Sequence, residues 1–565
     1  MRKDIIVLGI HDGHNSGAAI VKNGKVIAAI SEERLRNIKN YSGTPELAIK
    51  SVFEIAKIDP RDVDLIAIAC LIRTHPPLVE EPFFVKLYRK IVPWIHGHWF
   101  SKLYVSILHR FRKMGELRRI FEELKIEDKE VIFVEHHLTH AACAYYTRPW
   151  DDKTLVLTLD GSGDGVSSTV NIGEGFRIRR IAWSTSYDSI GNNLYSEITG
   201  YLGLKRWEHE YKVMGLAPFG KPEYCIDKMR KIVRINPKRP LEFQNTIRAY
   251  TIDVQKKLIK MLHGQRFDNI AAACQKYYEE LVVQWVKNAI KETGIRKIAC
   301  AGGMFLNVKA NKLLRELDEV EDIYFYPPAG DEGTPVGAAL EGYYRYCERE
   351  GIEPERYPLE SLYLGREFDS DEIKLKLKEK GLLHKAKRLD DVAGEIAELI
   401  SKGKIIGIFW GRDEFGPRAL GNRSIVADPR DLRIISKLNF AIKQRDFWMP
   451  FAPSILEEKA DKYLINARPA RYMIEAFDTK PEADEIIAGL HQADKTCRPQ
   501  TVNFWNPRWR RVLQEFERLT GVSGVVNTSF NLHGYPIVGN PEIAIDTFLN
   551  SGLDGLVLED WLILK

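Results

Sequence analysis

Two histidines four residues apart, His136 and His140, are well spaced to bind one metal ion. Side chains at positions i and i+4 lie on the same side of a helix, so both imidazoles can reach a single cation. Asp160 ends the apolar run 155–159, which is typical of a strand, and its carboxylate could add a further ligand. Imidazole and carboxylate ligands admit iron, zinc or manganese. Taken alone, the spacing fits a helix with exposed histidines equally well.

Glycine-rich loops strengthen the interpretation as a metal and phosphate site. Gly302 and Gly303 follow an apolar run, and Asn307 lies on the helix expected after them. Residues 330–333 repeat this pattern and include Asp331, and residues 12–17 form a third such loop. Glycine lets the backbone approach an anion, and a helix N-terminus offers amide donors. No loop matches a Walker or dinucleotide fingerprint, so the combination with the two histidines carries the prediction.

The C-terminal part of the sequence carries a dense group of arginines. Residues 411–423 place three arginines among three glycines, and Lys443, Arg445 and Arg498 follow. Guanidinium groups bind phosphate oxygens bidentately, and several close together are costly unless an anion accompanies them. Residues 527–531 add neutral polar groups near a predicted strand end. Surface arginines in salt bridges are the alternative, but the flanking Gly and Pro residues favour a shaped phosphate-binding loop.

An α/β architecture is expected to position these residues. The apolar run 5–10 precedes a hairpin signal at Asn23 and Gly24, and a helix is predicted from about Pro45. Actin/hexokinase-like ATPase domains begin in this way. A second strand, glycine turn and hairpin start at Thr154. The repetition predicts a duplicated N-terminal domain of the actin-like kind.

The segment 351–358, rich in Pro and Glu, predicts a domain boundary. We expect one domain over 1–355 and a second over 362–565. Insertions are expected near 82–113 and 221–265, the latter basic and helical. The former mixes aromatic and basic side chains. It is either an acceptor-binding or peripheral membrane-surface element or a helical hairpin packed by its aromatics, and the second interpretation is favoured.

Composition excludes several classes of protein. A chain of 565 residues is too long for one core. The net charge of +5 gives no global nucleic-acid signature. The seven cysteines form no CxxC pair, which argues against disulfides or a thiolate zinc site and favours a reducing cytoplasm. The sequence has no secretory segment at its start and no run apolar enough to span a bilayer. Oligomeric state is left open, with a homodimer as one option.

The ordered motifs resemble those of the O-carbamoyltransferases of nodulation, cephamycin and tobramycin carbamoylation. The resemblance covers nearly the whole chain and rests on His14 and the segments 31–34, 135–140, 159–161, 211–218, 301–303, 411–421, 450–454 and 527–531. It implies a first domain similar to the tRNA threonylcarbamoyladenosine transferase. It implies a second domain similar to the YrdC-type domain that makes threonylcarbamoyl-adenylate.

The resemblance further implies ATP-dependent O-carbamoyl transfer at two sites. The second domain would make carbamoyl-adenylate from carbamoyl phosphate and ATP, with Mg accompanying ATP. The first domain would pass the carbamoyl group to a hydroxyl of a small acceptor such as a sugar, an aminoglycoside or a glycan. It would hold Fe(II), or another divalent metal such as zinc or manganese.

The implied roles of individual residues follow the family motifs. His14 would be the general base and Asp12 would orient the acceptor. The metal ligands would be His136, His140, Asp160 and Asp331. Carbamoyl-adenylate would contact Lys39, Gly215, Gly303 and Asn307. ATP and carbamoyl phosphate would be bound by Arg418, Arg423, Lys443, Arg445, Arg498, Asn527 and Thr528.

The sequence departs from the family pattern at a few positions, and two other functions stay open. Met449 stands where the family usually has arginine, so Arg445 or a neighbour would have to supply that charge. The segment 495–498 also differs from the usual Gly-Thr-Ala-Arg. The alternatives are a tRNA threonylcarbamoyl transferase-like modification enzyme and a non-catalytic regulator that binds carbamoyl phosphate or nucleotide.

Overall fold

A computed structural model describes residues 4–73, 90–95, 97–110, 112 and 114–565, so the predicted insertion 82–113 lies only partly within it. The chain divides into two compact units. The first unit comprises Met1–Ala29 and Tyr41–Leu359, and the second comprises Ile30–Asn40 and Glu360–Lys565. The sequence analysis assigns residues 30–40 to the first domain, but this segment packs with the second unit. The buried Arg34 guanidinium pairs there with Asp413 and donates to the Gly416 carbonyl at 2.6 Å.

The first unit contains two five-stranded sheets of matching strand order. One sheet has the order β3-β2-β1-β4-β5, with β1 Ile6–His11, β2 Gly17–Lys22, β3 Lys25–Ser31, β4 Leu65–Ala69 and β5 Glu130–Val134. The other has the order β8-β7-β6-β11-β12, with β6 Thr154–Gly163, β7 Val166–Glu174, β8 Arg177–Thr185, β11 Lys297–Ala301 and β12 Asp322–Phe325. In both, the central strand is antiparallel to its hairpin neighbour and parallel to the strand on its other side. The predicted duplicated α/β module is therefore confirmed.

The first unit also contains helices, of which some pack on these sheets and others on one another. They are Glu46–Ala56, His98–Arg110, Gly115–Leu124, His136–Thr147, Glu197–Tyr201, Glu210–Leu216, Ile226–Met229, Ile252–Leu262, Phe267–Thr293, Val308–Arg315 and Thr334–Glu350. The last of these contacts β1, β2 and β4 and lies against His136–Thr147. Gly337 permits that close approach, because a Cβ there would stand 2.0 Å from the Thr139 carbonyl oxygen.

The segment 221–265 is not wholly helical as expected. It contains an antiparallel hairpin, β9 Val233–Asn236 and β10 Arg239–Asn245, between two of those helices. The prediction that this segment is helical was therefore wrong for residues 233–245.

The second unit is built on one eight-stranded mixed sheet of order β13-β20-β19-β14-β15-β18-β16-β17. Its strands are β13 Lys387–Arg388, β14 Ile406–Phe409, β15 Arg423–Ala427, β16 Ala452–Leu456, β17 Gln500–Val502, β18 Gly524–Ser529, β19 Gly555–Leu558 and β20 Trp561–Leu564. Val426 and Val525 belong to one hydrophobic core, and Ile425 and Val526 to another. Successive strand residues point to opposite faces, so the sheet is covered on both sides.

Helices supply that cover in the second unit. They are Glu32–Arg36, Ser370–Glu379, Val392–Ser401, Arg433–Leu438, Ala460–Tyr463, Pro507–Thr520 and Pro541–Leu549. Across the described part of the chain, no helix combines the length and the apolarity needed to cross a bilayer.

Candidate functional sites

Four side chains of the first unit converge in a group that we call the metal cluster: His136, His140, Asp160 and Asp331. Each offers one ligand atom, and these atoms lie within 4.8 Å of one another. His136 Nε2 lies 3.1 Å from Asp160 Oδ2, 3.2 Å from His140 Nε2 and 3.6 Å from Asp331 Oδ1. The structure thus brings together all four residues to which the sequence analysis gives a metal-binding role.

Local structure explains why these atoms meet. The two histidines lie one turn apart on helix His136–Thr147, while Asp160 lies on β6 and Asp331 begins a short 3-10 turn. Gly163 makes room for the first imidazole, because a Cβ there would stand 2.0 Å from the His136 ring. The Gly303 amide donates to Asp160 Oδ1 at 2.9 Å, which leaves Oδ2 facing the histidines.

The metal cluster fits a divalent cation. Burial by itself raises the pKa of the Asp160 and Asp331 carboxyls, but the facing imidazoles outweigh it and hold both pKa values below their ordinary range. Asp331 Oδ1 is buried and accepts no hydrogen bond from any described residue, yet both histidine Nε2 atoms lie 3.5–3.6 Å away. Two ionised carboxylates and two imidazole nitrogens form a donor set that first-row divalent metals accept.

His14 lies beside the metal cluster. Its Nδ1 stands 3.9 Å from Asp331 Oδ2, and its side chain is 19% exposed. The imidazole therefore lies next to the candidate metal ligands and retains access to solvent, as a base acting on an incoming hydroxyl requires.

Asp12 is held by two arginines. Its Oδ1 accepts from Arg112 Nη2 at 2.6 Å, and its Oδ2 lies 3.8 Å from Arg73 Nε. A direct contact from Asp12 to an acceptor stays a prediction, and these contacts place the carboxylate in an ion-paired setting. The sequence analysis missed Arg112 as a member of this group, since it treated 82–113 as one insertion.

Asp164 is a second residue that the sequence analysis missed. Its carboxylate accepts from the amides of Leu71, Ile72 and His136, each at 2.8 Å. It therefore ties the loop after β4 to the first residue of the histidine-bearing helix. The signal was present in the glycine-rich run after Asp160, where an acid stands between two glycines.

The residues expected to bind carbamoyl-adenylate lie on different elements of the structure. Gly303 adjoins the metal cluster through Asp160, and Gly215 lies on helix Glu210–Leu216. The Asn307 side chain caps helix Val308–Arg315 and exchanges hydrogen bonds with Gln275 at 2.8 and 3.0 Å. A nucleotide contact from Asn307 stays a prediction, and its present contacts are structural.

The second unit gathers Lys39, Arg418, Lys443, Arg445 and Arg498 into a group that we call the cationic cluster. Burial lowers the pKa of Arg498 well below its ordinary value, and the nearby Arg418 and Arg445 lower it further. Burial does the same to Lys443, with Arg445 and Lys39 adding to the effect. The sequence analysis places Lys39 in the first domain, but it belongs here because residues 30–40 pack with the second unit. Arg445, expected to offset Met449, is also a member.

Polar groups at the end of strand β18 and just after it contact Lys443 of this cluster. The Lys443 ammonium donates to Asn531 Oδ1 at 2.7 Å and to the Ser529 carbonyl. Asn527 is buried, and its Oδ1 accepts no hydrogen bond from the described residues. Thr528 follows it on the same strand, opposite Ile425.

Arg423 contacts main-chain groups of the arginine-rich loop, and a phosphate contact from it stays a prediction. Its guanidinium is buried, donates to the carbonyls of Trp410 and Gly411 at 2.6 and 3.0 Å, and stacks on the Phe409 ring at 3.8 Å. These contacts hold the arginine-rich loop in shape. Glu414, which the sequence analysis missed, does the same by accepting three main-chain amides of residues 420–423 at 2.7–3.1 Å.

Comparison with known proteins gives matches over both units. The family profile described as "Carbamoyltransferase N-terminus" matches residues 6–340, and "Carbamoyltransferase C-terminus" matches 397–565. Nodulation protein NolNO of Sinorhizobium fredii (strain NBRC 101917 / NGR234) is 33% identical over 561 residues, which cover 98% of this chain and 79% of that protein. Uncharacterized protein MJ1058 of Methanocaldococcus jannaschii is 35% identical over 481 residues, covering 80% and 77%.

Solved structures give weaker matches. HypF of T. kodakarensis aligns with a TM-score of 0.35 at 15% identity, covering 64% of this chain and 50% of that one. That likeness is too low to inform the fold, which rests on the strand orders given above.

Proposed function

Since the chain belongs to the carbamoyltransferase family and is a transferase enzyme, we propose that it is an ATP-dependent O-carbamoyltransferase with two reaction sites. The observation that carries this proposal is the separation of chemistry between the units. The metal cluster and His14 lie in the first unit, and the cationic cluster lies in the second.

The second unit would form carbamoyl-adenylate. Water hydrolyses carbamoyl phosphate to carbamate and inorganic phosphate, and a carbamate oxygen then attacks the α-phosphorus of ATP and displaces pyrophosphate. Positioning and charge neutralisation are what such phosphoryl and nucleotidyl chemistry asks of a protein. Arg418, Arg445 and Arg498 would bind the phosphate oxygens, and Mg would accompany ATP. The Asn527 Oδ1 atom, buried without a partner in the described chain, would accept a hydrogen bond from bound substrate.

The first unit would transfer the carbamoyl group. His14 would take the proton of an acceptor hydroxyl, whose oxygen then attacks the carbamoyl carbon and releases AMP. A divalent cation such as Fe(II), zinc or manganese, held by His136, His140, Asp160 and Asp331, would supply Lewis acidity at this site. The Gly303 amide would keep Asp160 in place, and the glycines of that loop would let a nucleotide approach its backbone. We propose a sugar-like small molecule as acceptor and the cytoplasm as the compartment that provides both phosphorylated substrates.

Isotope exchange separates the two steps. ATP–pyrophosphate exchange should require carbamoyl phosphate. His14→Asn should retain that exchange but abolish AMP release in the presence of a panel of sugars and aminoglycosides, because only the transfer step needs the base. His263→Asn, at an exposed histidine, is the matched control and should change neither. Exchange that proceeds without carbamoyl phosphate, or that disappears in His14→Asn, would contradict the assignment.

A further inference from the structure

The metal ligand His136 makes its second contact to a cysteine. Its Nε2 faces Asp160, His140 and Asp331, so a metal would be bound through that atom. The neutral ring then carries its proton on Nδ1, and Nδ1 lies 3.2 Å from Cys70 Sγ. A metal-binding histidine usually donates its other N–H to an oxygen, which fixes the ring and its tautomer. Here the acceptor is a buried sulfur.

The contact continues through His11 to the loop that carries His14. Cys70 Sγ lies 3.6 Å from His11 Nδ1, and His11 Nε2 lies 2.8 Å from the His14 carbonyl oxygen. Once His136 Nδ1 donates to sulfur, the thiol proton is free to be donated to His11 Nδ1. His11 Nε2–H must then be the donor to the carbonyl. One assignment of protons therefore satisfies each of these ring nitrogens.

Sheet topology explains why these residues meet. Strands β1, β4 and β5 are neighbours and parallel, so their C-terminal ends share one edge. His11 ends β1, Cys70 follows β4, and the helix with His136 begins just after β5.

The backbone conformation of Cys70 supports a specific role for its thiol in contacting His11 and His136. Its φ is +71°, in the left-handed region that favours glycine. Its amide donates to the Val134 carbonyl at 2.8 Å, and its own carbonyl accepts from Arg112. Holding a non-glycine residue in such a conformation lowers stability. The surrounding contacts therefore impose a strained conformation that directs the thiol at two imidazoles.

We propose that Cys70 and His11 are positioning residues that join the metal ligand His136 to the His14 loop by a continuous hydrogen-bonded connection. This inference rests on the proposed metal site. It gives Cys70 the task of orienting the His136 ring and gives His11 the task of fixing the His14 main chain. Neither residue touches the reacting atoms.

Three substitutions at Cys70 test the first half. Binding of Fe(II) is measured without oxygen by competition with a chromophoric chelator, so no turnover is needed. Cys70→Ala should weaken Fe(II) binding by roughly 10–100-fold, and Cys70→Ser should recover most of the loss because a hydroxyl can both accept and donate. Cys70→Gly should bind as weakly as Cys70→Ala yet unfold no more easily than it, because glycine relieves the left-handed strain.

Cys274 is the matched control, since it is a buried thiol on helix Phe267–Thr293, and Cys274→Ala should bind Fe(II) as the unmodified chain does. Affinity within about twofold for Cys70→Ala, or equal weakness of the Ser and Ala variants, would overturn the inference. A wild-type chain that binds no Fe(II), or whose binding survives His140→Ala, would instead overturn the proposed metal site and the inference with it.

Two amides at position 11 test the second half. Glutamine can place its amide near the Nε2 position and keep the bond to the His14 carbonyl, whereas asparagine reaches only the Nδ1 position. His11→Gln should therefore retain more of the transfer step than His11→Asn, with carbamoyl-phosphate-dependent exchange equal in both. Equal transfer rates in the two variants would contradict a role for His11 in fixing the His14 loop.

Discussion

The metal cluster of the first unit and the cationic cluster of the second are both partly buried polar groups, but their charges are arranged in opposite ways. In the metal cluster, acids face imidazoles, and the pKa values of Asp160 and Asp331 are held down despite burial. In the cationic cluster, like charges face one another, and the pKa values of Lys443 and Arg498 are lowered.

The two clusters are therefore prepared for their ligands in different ways. Opposite charges compensate part of each other's desolvation, so the metal cluster can keep its geometry from its own contacts. Like charges repel one another instead, and neutral acceptors such as the Ser529 carbonyl and Asn531 Oδ1 beside Lys443 offset only part of the cost to stability. A bound anion would offset that cost. The predictions below test this contrast, from the largest expected effect to the smallest.

Removal of a metal ligand should have the largest effect. Asp331→Asn takes away an anionic oxygen that faces both histidines, so we expect more than the roughly 100-fold loss of Fe(II) affinity that follows damage to a ligand's supporting residues. Carbamoyl-phosphate-dependent exchange should continue. Asp227→Asn, at an exposed carboxylate, provides the comparison. Undiminished Fe(II) binding in Asp331→Asn would show that the four residues do not act as one site.

Removal of one half-buried cation should lower ligand affinity and raise stability. Arg498→Gln should weaken ATP and carbamoyl phosphate binding by roughly 10–100-fold, the range for a charge-assisted hydrogen bond. It should also raise the free energy of unfolding of the ligand-free chain, because Arg418 and Arg445 lose a like-charged neighbour. Urea unfolding with and without ATP measures both effects. A less stable variant in the absence of ligand would contradict the account of like-charge repulsion.

Anions should stabilise the chain through the cationic cluster. At a concentration of 100 times its dissociation constant, pyrophosphate should add about 2.7 kcal/mol to the free energy of unfolding. At a fixed pyrophosphate concentration, this gain should shrink as salt is added, because salt screens the attraction between the anion and the cationic cluster. Thermal unfolding in rising pyrophosphate provides the measurement, with sulfate as the control anion. The same gain in Arg498→Gln would place the anion elsewhere.

The ion pair of Arg34 with Asp413 joins residues 30–40 to the rest of the second unit. It should give the smallest effect, which is a dependence of the free energy of unfolding on pH. Burial raises the pKa of Asp413 to about 6, and Arg34 only partly offsets this. The folded pKa exceeds the ordinary value of 3.8, so the folded chain binds more protons between about pH 4 and 6. This group's contribution to stability is therefore full below that window and falls as pH rises through it. Asp413→Asn should remove that slope, and an unchanged slope in denaturant titrations would exclude Asp413 as its source.

Local sequence patterns predicted much of the metal cluster. The spacing of His136 and His140 places both rings on one helix face whatever the rest of the chain does. The repeated strand and hairpin signals led to the duplicated sheets. The helical prediction for 221–265 failed because a short antiparallel hairpin can form within a charged segment, where periodicity is weak.

Residues whose role depends on distant neighbours escaped prediction. Arg423 and Arg418 lie five positions apart in one motif. Arg423 donates hydrogen bonds to main-chain carbonyls, whereas Arg418 belongs to the cationic cluster. Nothing in their local sequence distinguishes them. Asp164 and Glu414 hold loops by accepting several amides at once, which only the folded backbone brings within reach.

The sequence by itself determined the α/β class, the family and the types of residue available for metal and phosphate chemistry, because these depend on periodicity and motif order. Only the tertiary structure decided that Lys39 joins the second unit, that Asp12 is paired with Arg112, and that Cys70 stands between His11 and His136. These placements arise where parallel strands end side by side and where a short segment packs away from its sequence neighbours. The contacts of Cys70 and Asp12 join residues from 59 to 100 positions apart in the chain, a separation over which local pattern carries no information.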